Sequence, residues 1–173
     1  YRIEISEEEE AMLKNTSDYF TFSYYYSGIV DQAHFEEGNR VALNKEIPAT
    51  DWGWSIDPTG LRILLNVFYD RYQCPIYITE NGTSSHDVVS MEGRVEDGPR
   101  KDYLHRHLLA LWEAVSQGVN VKGYFQWSLY DNFEWSFGYE SRFGIVFVDF
   151  HTQERIIKES GRWYSGVIRD NAV

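Results

Sequence analysis

The sequence predicts an α/β fold, and three observations carry that expectation. Segments with apolar residues at helical spacing alternate with short apolar runs of strand character. Helix start and stop signals separate them: Ser6 before a run of acids, Asp57-Pro58, and Gly118 behind an amphipathic stretch. The resulting order is helix, strand, helix, strand, helix, strand, helix, with no internal repeat, linker or low-complexity tract. Such alternation implies parallel strands joined by right-handed crossovers, and in sheets of that kind functional groups gather at the strand C-termini.

Each element has its own signal. Ser6 followed by acids suits a helix N-terminus, because the hydroxyl can cap free N–H groups and the acids face the positive end of the helix dipole. The aromatic run from Tyr19 to Gly28 reads as a strand, and the polar stretch at 31–40 as a loop. Asp57 as cap and Pro58 at the first position open a second helix, with Leu61, Leu64, Leu65, Phe68 and Tyr72 on one face. Pro75 then leads into a buried strand, Ile76 to Thr79, which ends at the carboxylate of Glu80 before the turn-forming Gly82. Residues Asp102 to Gln117 place Leu104, Leu108, Leu111, Trp112 and Val115 on the face of a third helix, closed by Gly118. A strand from Val121, an aromatic and acidic loop, a short alternating strand from Arg142 to Asp149 and a final helix through SGRWYSGVIRDN complete the chain.

Bulk properties narrow the function. A length of 173 residues suits one domain, or part of one, and 43% hydrophobic with 25% charged residues is ordinary for a globular chain. A net charge of −11 without a dense basic run argues against nucleic acid as a partner. Cys74 is the only cysteine, so no intrachain disulfide can form, and His105 and His107, two apart on a helix, face different ways, so neither a metal site nor a cofactor is expected. No apolar run is long enough to span a bilayer, and the N-terminus lacks the basic and apolar regions of a signal peptide, so no membrane association and a cytoplasmic location are expected. Aromatic residues reach 17%; most would serve core packing, but flat amphipathic rings also cover sugar faces.

Three candidates lie at strand ends: Tyr24 with Tyr25, Glu80, and Trp127 with Glu134. By position alone Glu80 reads as a helix or turn cap or an exposed loop acid. Its neighbours alter that reading. ITENG at 78–82 resembles the nucleophile motif of glycoside hydrolase family 1, and WSLYDNFEW at 127–135 resembles the sugar-binding motif of that family's eighth strand. DWGWSIDPTGLR at 51–62 and GYESRFGIVFVDF at 138–150 extend the resemblance over nearly the whole chain.

The resemblance implies a partial (β/α)8 barrel. Residues 1–173 form a single region corresponding to strands six to eight with their helices, without roughly the first five βα units of a barrel of about 250 residues. It implies retaining β-glycoside hydrolysis, with Glu80 as nucleophile and Tyr25 orienting it through a hydrogen bond. Trp127 would floor the sugar site, Glu134 would accept sugar hydroxyls with the Trp135 indole beside it, and Phe143 would line the hydroxymethyl end. The family's acid/base lies in an Asn-Glu-Pro tripeptide, which this sequence does not contain. FSYY at 22–25 and DWGWSIDP resemble the 6-phospho-β-glycosidase branch, whereas the intact Glu134 would repel a phosphate, so an unphosphorylated β-glucoside or β-galactoside is the expected substrate. A non-catalytic carbohydrate-binding or split-barrel fragment is the reading from another class. A partial barrel would leave sheet edges open, so a complementary N-terminal chain or self-association is expected.

Overall fold

The computed structural model describes residues 4–14, 16–30 and 42–173. The stretch at 31–40 that reads as a loop lies outside the described residues. Helix α1, Glu7–Leu13, begins with a capping box in which the Ser6 hydroxyl accepts from Glu9 N at 3.2 Å and the Glu9 carboxylate accepts from Ser6 N at 2.9 Å. It buries no side chain, so its cap and first-turn acids hold it rather than packing.

Strand β1 is Phe20–Ser23, shorter than the aromatic run suggested. A register shift between Phe22 and Ser23 loosens the ladder, so Tyr24 and Tyr25 lie just past the strand. Gly28–Ile29 (β2) then pairs antiparallel with Ala42–Leu43 (β3). Helix α2, Pro58–Tyr72, starts where its signals place it: Asp57 Oδ1 accepts from Gly60 N at 2.9 Å, and the chain leaves the helix through Gln73 in a left-handed conformation. Leu61 and Leu65 are fully buried against Ile76 and Ile78 of β4, Ile76–Asn81. That strand runs two residues beyond the expected end, so Glu80 is part of it.

Helix α3, Gly98–Ser116, starts four residues before the expected Asp102, because Pro99 sits in its first turn and Asp97 precedes it. Leu104 and Leu108 are buried as expected, but Trp112 and Val115 are exposed, so the buried face is rotated toward Tyr103, His107 and Ala110. Strand β5, Val121–Gln126, completes a parallel sheet ordered β1-β4-β5, with α2 and α3 packed together over one face. The expected strand at Arg142–Asp149 shrinks to β6, Val146–Val148, which turns back antiparallel onto β7, Arg155–Ile157, instead of extending the parallel sheet. A tight turn causes the reversal: Asp149 Oδ1 accepts from His151 N at 2.8 Å and from Thr152 N at 3.0 Å, and Gln153 adopts a positive φ of 64°. Helix α4, Glu159–Asp170, closes the described chain.

A buried ion network joins the loops beyond the strand ends. Arg100 on α3 pairs with Asp97 and Asp87, Lys158 ahead of α4 with Asp87 and Asp131, and Arg142 with Asp131. Arg100 also donates to the carbonyls of Thr83, at 3.2 Å, and Arg142, at 2.6 Å, while Asp131 accepts from the N–H of Gly144 at 3.0 Å. Three cations matched by three anions meet the condition under which buried charge is tolerated. Asp87 is desolvated, which favours its protonated form, but Arg100 and Lys158 outweigh that and hold its carboxyl below the usual carboxylate range.

Candidate active site

Strand β4 delivers Glu80 to the C-terminal end of the sheet between two register shifts, one against β1 and one against β5. The backbone there is fixed on both sides: Glu80 O accepts from Tyr24 N at 2.9 Å, and Asn81 O accepts from Trp127 N at 3.0 Å. Gly82 allows this approach, since a Cβ there would lie 1.9 Å from the Trp127 carbonyl oxygen.

The Tyr25 hydroxyl donates to Glu80 Oε2 at 2.8 Å. Burial, followed by the hydrogen bond to Glu80 and its charge, pushes the Tyr25 phenol well above its usual range, so it remains a donor at any ordinary pH. Glu134 precedes a single 3-10 turn, Trp135–Phe137, and is buried; its Oε1 accepts from the Trp127 indole N–H at 3.1 Å. Burial raises the Glu134 carboxyl above 4.5, the Trp127 hydrogen bond opposes this, and the charge of Glu80 adds to the rise.

One wall of the site is aromatic. Phe143 is buried and meets Tyr25 at 6.2 Å and Trp52 at 5.4 Å edge-on, and Trp54 at 6.1 Å with its ring tilted, all between centroids. Trp52 also lies 4.2 Å from Phe137, which ties the loop before α2 to the turn that carries Glu134. The structure thus gathers Tyr25, Glu80, Trp127, Glu134 and Phe143. Trp135, next to Glu134 in sequence, is 81% exposed, and the indole N–H that Glu134 accepts from is that of Trp127. Sequence reasoning singled out neither Trp52 nor Trp54 as wall residues, although two indoles two residues apart just before a helix cap offered a signal. Among the described residues no group of His, Cys, Asp and Glu could hold a metal ion, and no helix is long and apolar enough to cross a membrane.

Two carboxylates, a phenol hydroxyl and an indole N–H around an aromatic wall suit recognition of a polyhydroxylated ligand with apolar faces. The family model for glycosyl hydrolase family 1 matches residues 1–173. The chain belongs to glycosyl hydrolase family 1. Within the family it is 47% identical over 151 residues to β-glucosidase A of Thermotoga maritima, covering 86% of this chain and 34% of that protein. It is 43% identical over 168 residues to a 1,4-β-D-glucan glucohydrolase of Thermotoga neapolitana, covering 96% and 38%, and 39% identical over 188 residues to an aryl-phospho-β-D-glucosidase of Bacillus subtilis, covering 99% and 39%. The solved β-glucosidase of Thermotoga maritima in complex with castanospermine superposes with a TM-score of 0.87 at 42% identity, over 96% of this chain and 38% of that one. The chain therefore spans under two fifths of the length of these family 1 relatives.

Proposed function

We propose that this chain carries the nucleophile and the sugar-recognition half of a retaining β-glucosidase site, and that residues 1–173 act as a single region contributing the last three strands of an eight-stranded barrel. The observation that carries the reading is the hydrogen bond from Tyr25 to Glu80 Oε2, 2.8 Å, at the C-terminal end of a parallel strand, with Glu134 held nearby by Trp127. The close superposition on a β-glucosidase of which the chain covers 38% supports the partial barrel.

In this reading a Glu80 carboxylate oxygen attacks the anomeric carbon while the bond to the aglycone oxygen breaks. The departing oxygen takes a proton from a carboxylic acid, and water, deprotonated by the same group, then cleaves the glycosyl ester and frees Glu80. Tyr25 keeps one Glu80 oxygen bonded and leaves the other to react, while Glu134 and Trp127 hold the sugar through hydroxyl contacts and stacking. Phe143 backs this surface, and the exposed Trp135 indole, next in sequence to Glu134, donates to a sugar hydroxyl. The proton donor belongs to the family's Asn-Glu-Pro motif, which residues 1–173 do not contain, so in this reading it is supplied from outside them. A phosphorylated substrate is disfavoured because the Glu134 carboxylate would meet the phosphate with like charge.

The test is mass spectrometry after incubation with a 2-deoxy-2-fluoro-β-glucoside bearing a good leaving group, with the chain alone and with an N-terminal family 1 fragment. An adduct on Glu80 supports the reading. No adduct under either condition leaves the chain a carbohydrate-binding or interaction fragment and overturns it.

A further inference from the structure

Tyr24 and Tyr25 have left the β1 ladder, yet the Tyr25 side chain must be aimed accurately to meet Glu80. Tyr24 N still donates to Glu80 O, but the carbonyls of both residues are held by side chains from outside the strand. Asn81, the residue after Glu80 and fully buried, donates from Nδ2 to Tyr24 O at 2.7 Å and to the Tyr103 hydroxyl at 3.0 Å. The Tyr103 hydroxyl in turn donates to Tyr25 O at 3.0 Å, and Asn81 Oδ1 accepts from the Tyr124 hydroxyl at 2.7 Å. Two consecutive carbonyls that the sheet no longer pairs are thus each bound by the Asn81–Tyr103 pair.

We propose that Tyr103, projecting from α3, is the positioning residue for the Tyr25–Glu80 contact: it locks the peptide after Tyr25 to the amide adjoining Glu80, so that both partners hang on one buried anchor. The proposal rests on the reading of Glu80 as nucleophile only for its catalytic consequence.

The surroundings suit a fixed bridge. The Tyr103 ring is 1% exposed and stacks on the His107 imidazole at 3.9 Å and 23°. His107 Nδ1 lies 2.8 Å from Tyr103 O, and burial holds His107 down at about 4, so the stacked ring is neutral at ordinary pH. Burial keeps the Tyr103 phenol protonated as well, so one hydroxyl donates to Tyr25 O while accepting from Asn81. Asn81, Tyr103 and Tyr124 each find hydrogen-bond partners, although His107 Nε2 beside them is buried without one, and a paired buried network of this kind rigidifies what it touches.

The experiment uses the full chain labelled with ¹³C at glutamate carboxyls, with the Glu80 resonance identified by its loss in E80Q. Y25F defines the resonance of a Glu80 carboxylate without the phenol hydrogen bond. Y103F is expected to shift the resonance toward the Y25F position at neutral pH, and the Y25F/Y103F pair to coincide with Y25F alone. A Y103F resonance at the wild-type position overturns the proposal. Should Y103F fail to fold by far-UV circular dichroism, Y124F, which frees Asn81 Oδ1, is judged by the same criterion. In the complemented barrel, Y103F is expected to slow fluoroglucoside labelling by at least about tenfold with little change in KM, since small misplacements of a reacting group cost up to about a hundredfold. Absence of labelling in the wild type would sink the nucleophile reading, while the resonance still decides the role of Tyr103.

Discussion

Tyr25 and Glu134 are where single side chains carry the most weight. The Tyr25 hydroxyl reaches a carboxylate in a half-buried setting, and hydrogen bonds to charged groups contribute about 1.5–3 kcal/mol. Y25F is accordingly expected to slow labelling of Glu80 by roughly 10- to 150-fold without unfolding the chain, as read from the rate of adduct formation. Glu134 makes a pH-dependent statement. Its folded carboxyl sits above 4.5, so the folded state holds the proton more tightly than the unfolded chain does. Stability from this group is therefore present at low pH and declines as pH rises from 4.5 through the raised value. The E134Q chain should lose that decline, seen as a flatter urea midpoint between acidic and neutral pH; an unchanged slope would remove Glu134 as its source. The same variant should lose sugar affinity, because the ionised oxygens accept hydroxyls.

The strands matter through where they end. Strands β4 and β5 approach so closely beyond Glu80 that the Cβ of an alanine at Gly82 would collide with the Trp127 carbonyl, which is backbone and cannot swing away. G82A is expected to separate the two strand ends and abolish labelling, with loss of cooperative unfolding as the accompanying observation. The signals for α2 were local, an Asp cap and a Pro at the first turn, and the helix starts where they said. The boundaries of α3 and the buried side of its face were set by tertiary packing instead: Trp112 reads as core by spacing but stands 61% exposed, because Tyr103 and His107 take the side facing the sheet. The hairpin of β6 and β7 was hidden for a similar reason. A run such as IVFV fits a parallel or an antiparallel partner equally, and the Asp149 turn decides between them.

At the scale of the whole molecule, the three-stranded sheet has β1 and β5 at its edges, without a further strand on either among the described residues. Beside β5 an apolar groove is lined by Phe125, Leu129, Ile145, Ile157 and Ile168, and Phe125 is 57% exposed. Its lining includes none of Tyr25, Glu80 and Glu134, and an open apolar face of this kind beside a sheet edge is a surface that packing would cover. The chain alone is expected to self-associate, and a complementary N-terminal fragment to return it to a discrete complex; sedimentation velocity across a concentration series checks both. A monodisperse monomer with a sharp, cooperative thermal transition would contradict this expectation.

What the sequence determined by itself is what depends on neighbours along the chain: the caps of α1 and α2, the alternation of strand and helix, and the placement of Glu80 at a strand end. The motifs around Glu80 and Glu134 were legible for the same reason, since each is a continuous string. Tertiary structure decided the rest. Trp127 to Glu134, Trp52 against Phe143 and Tyr103 to Tyr25 O are contacts of rings and hydroxyls whose directions only packing sets. The ion network joining Asp87, Asp97, Arg100, Asp131, Arg142 and Lys158 likewise spans separate loops, because buried charges find their partners in space and not in sequence.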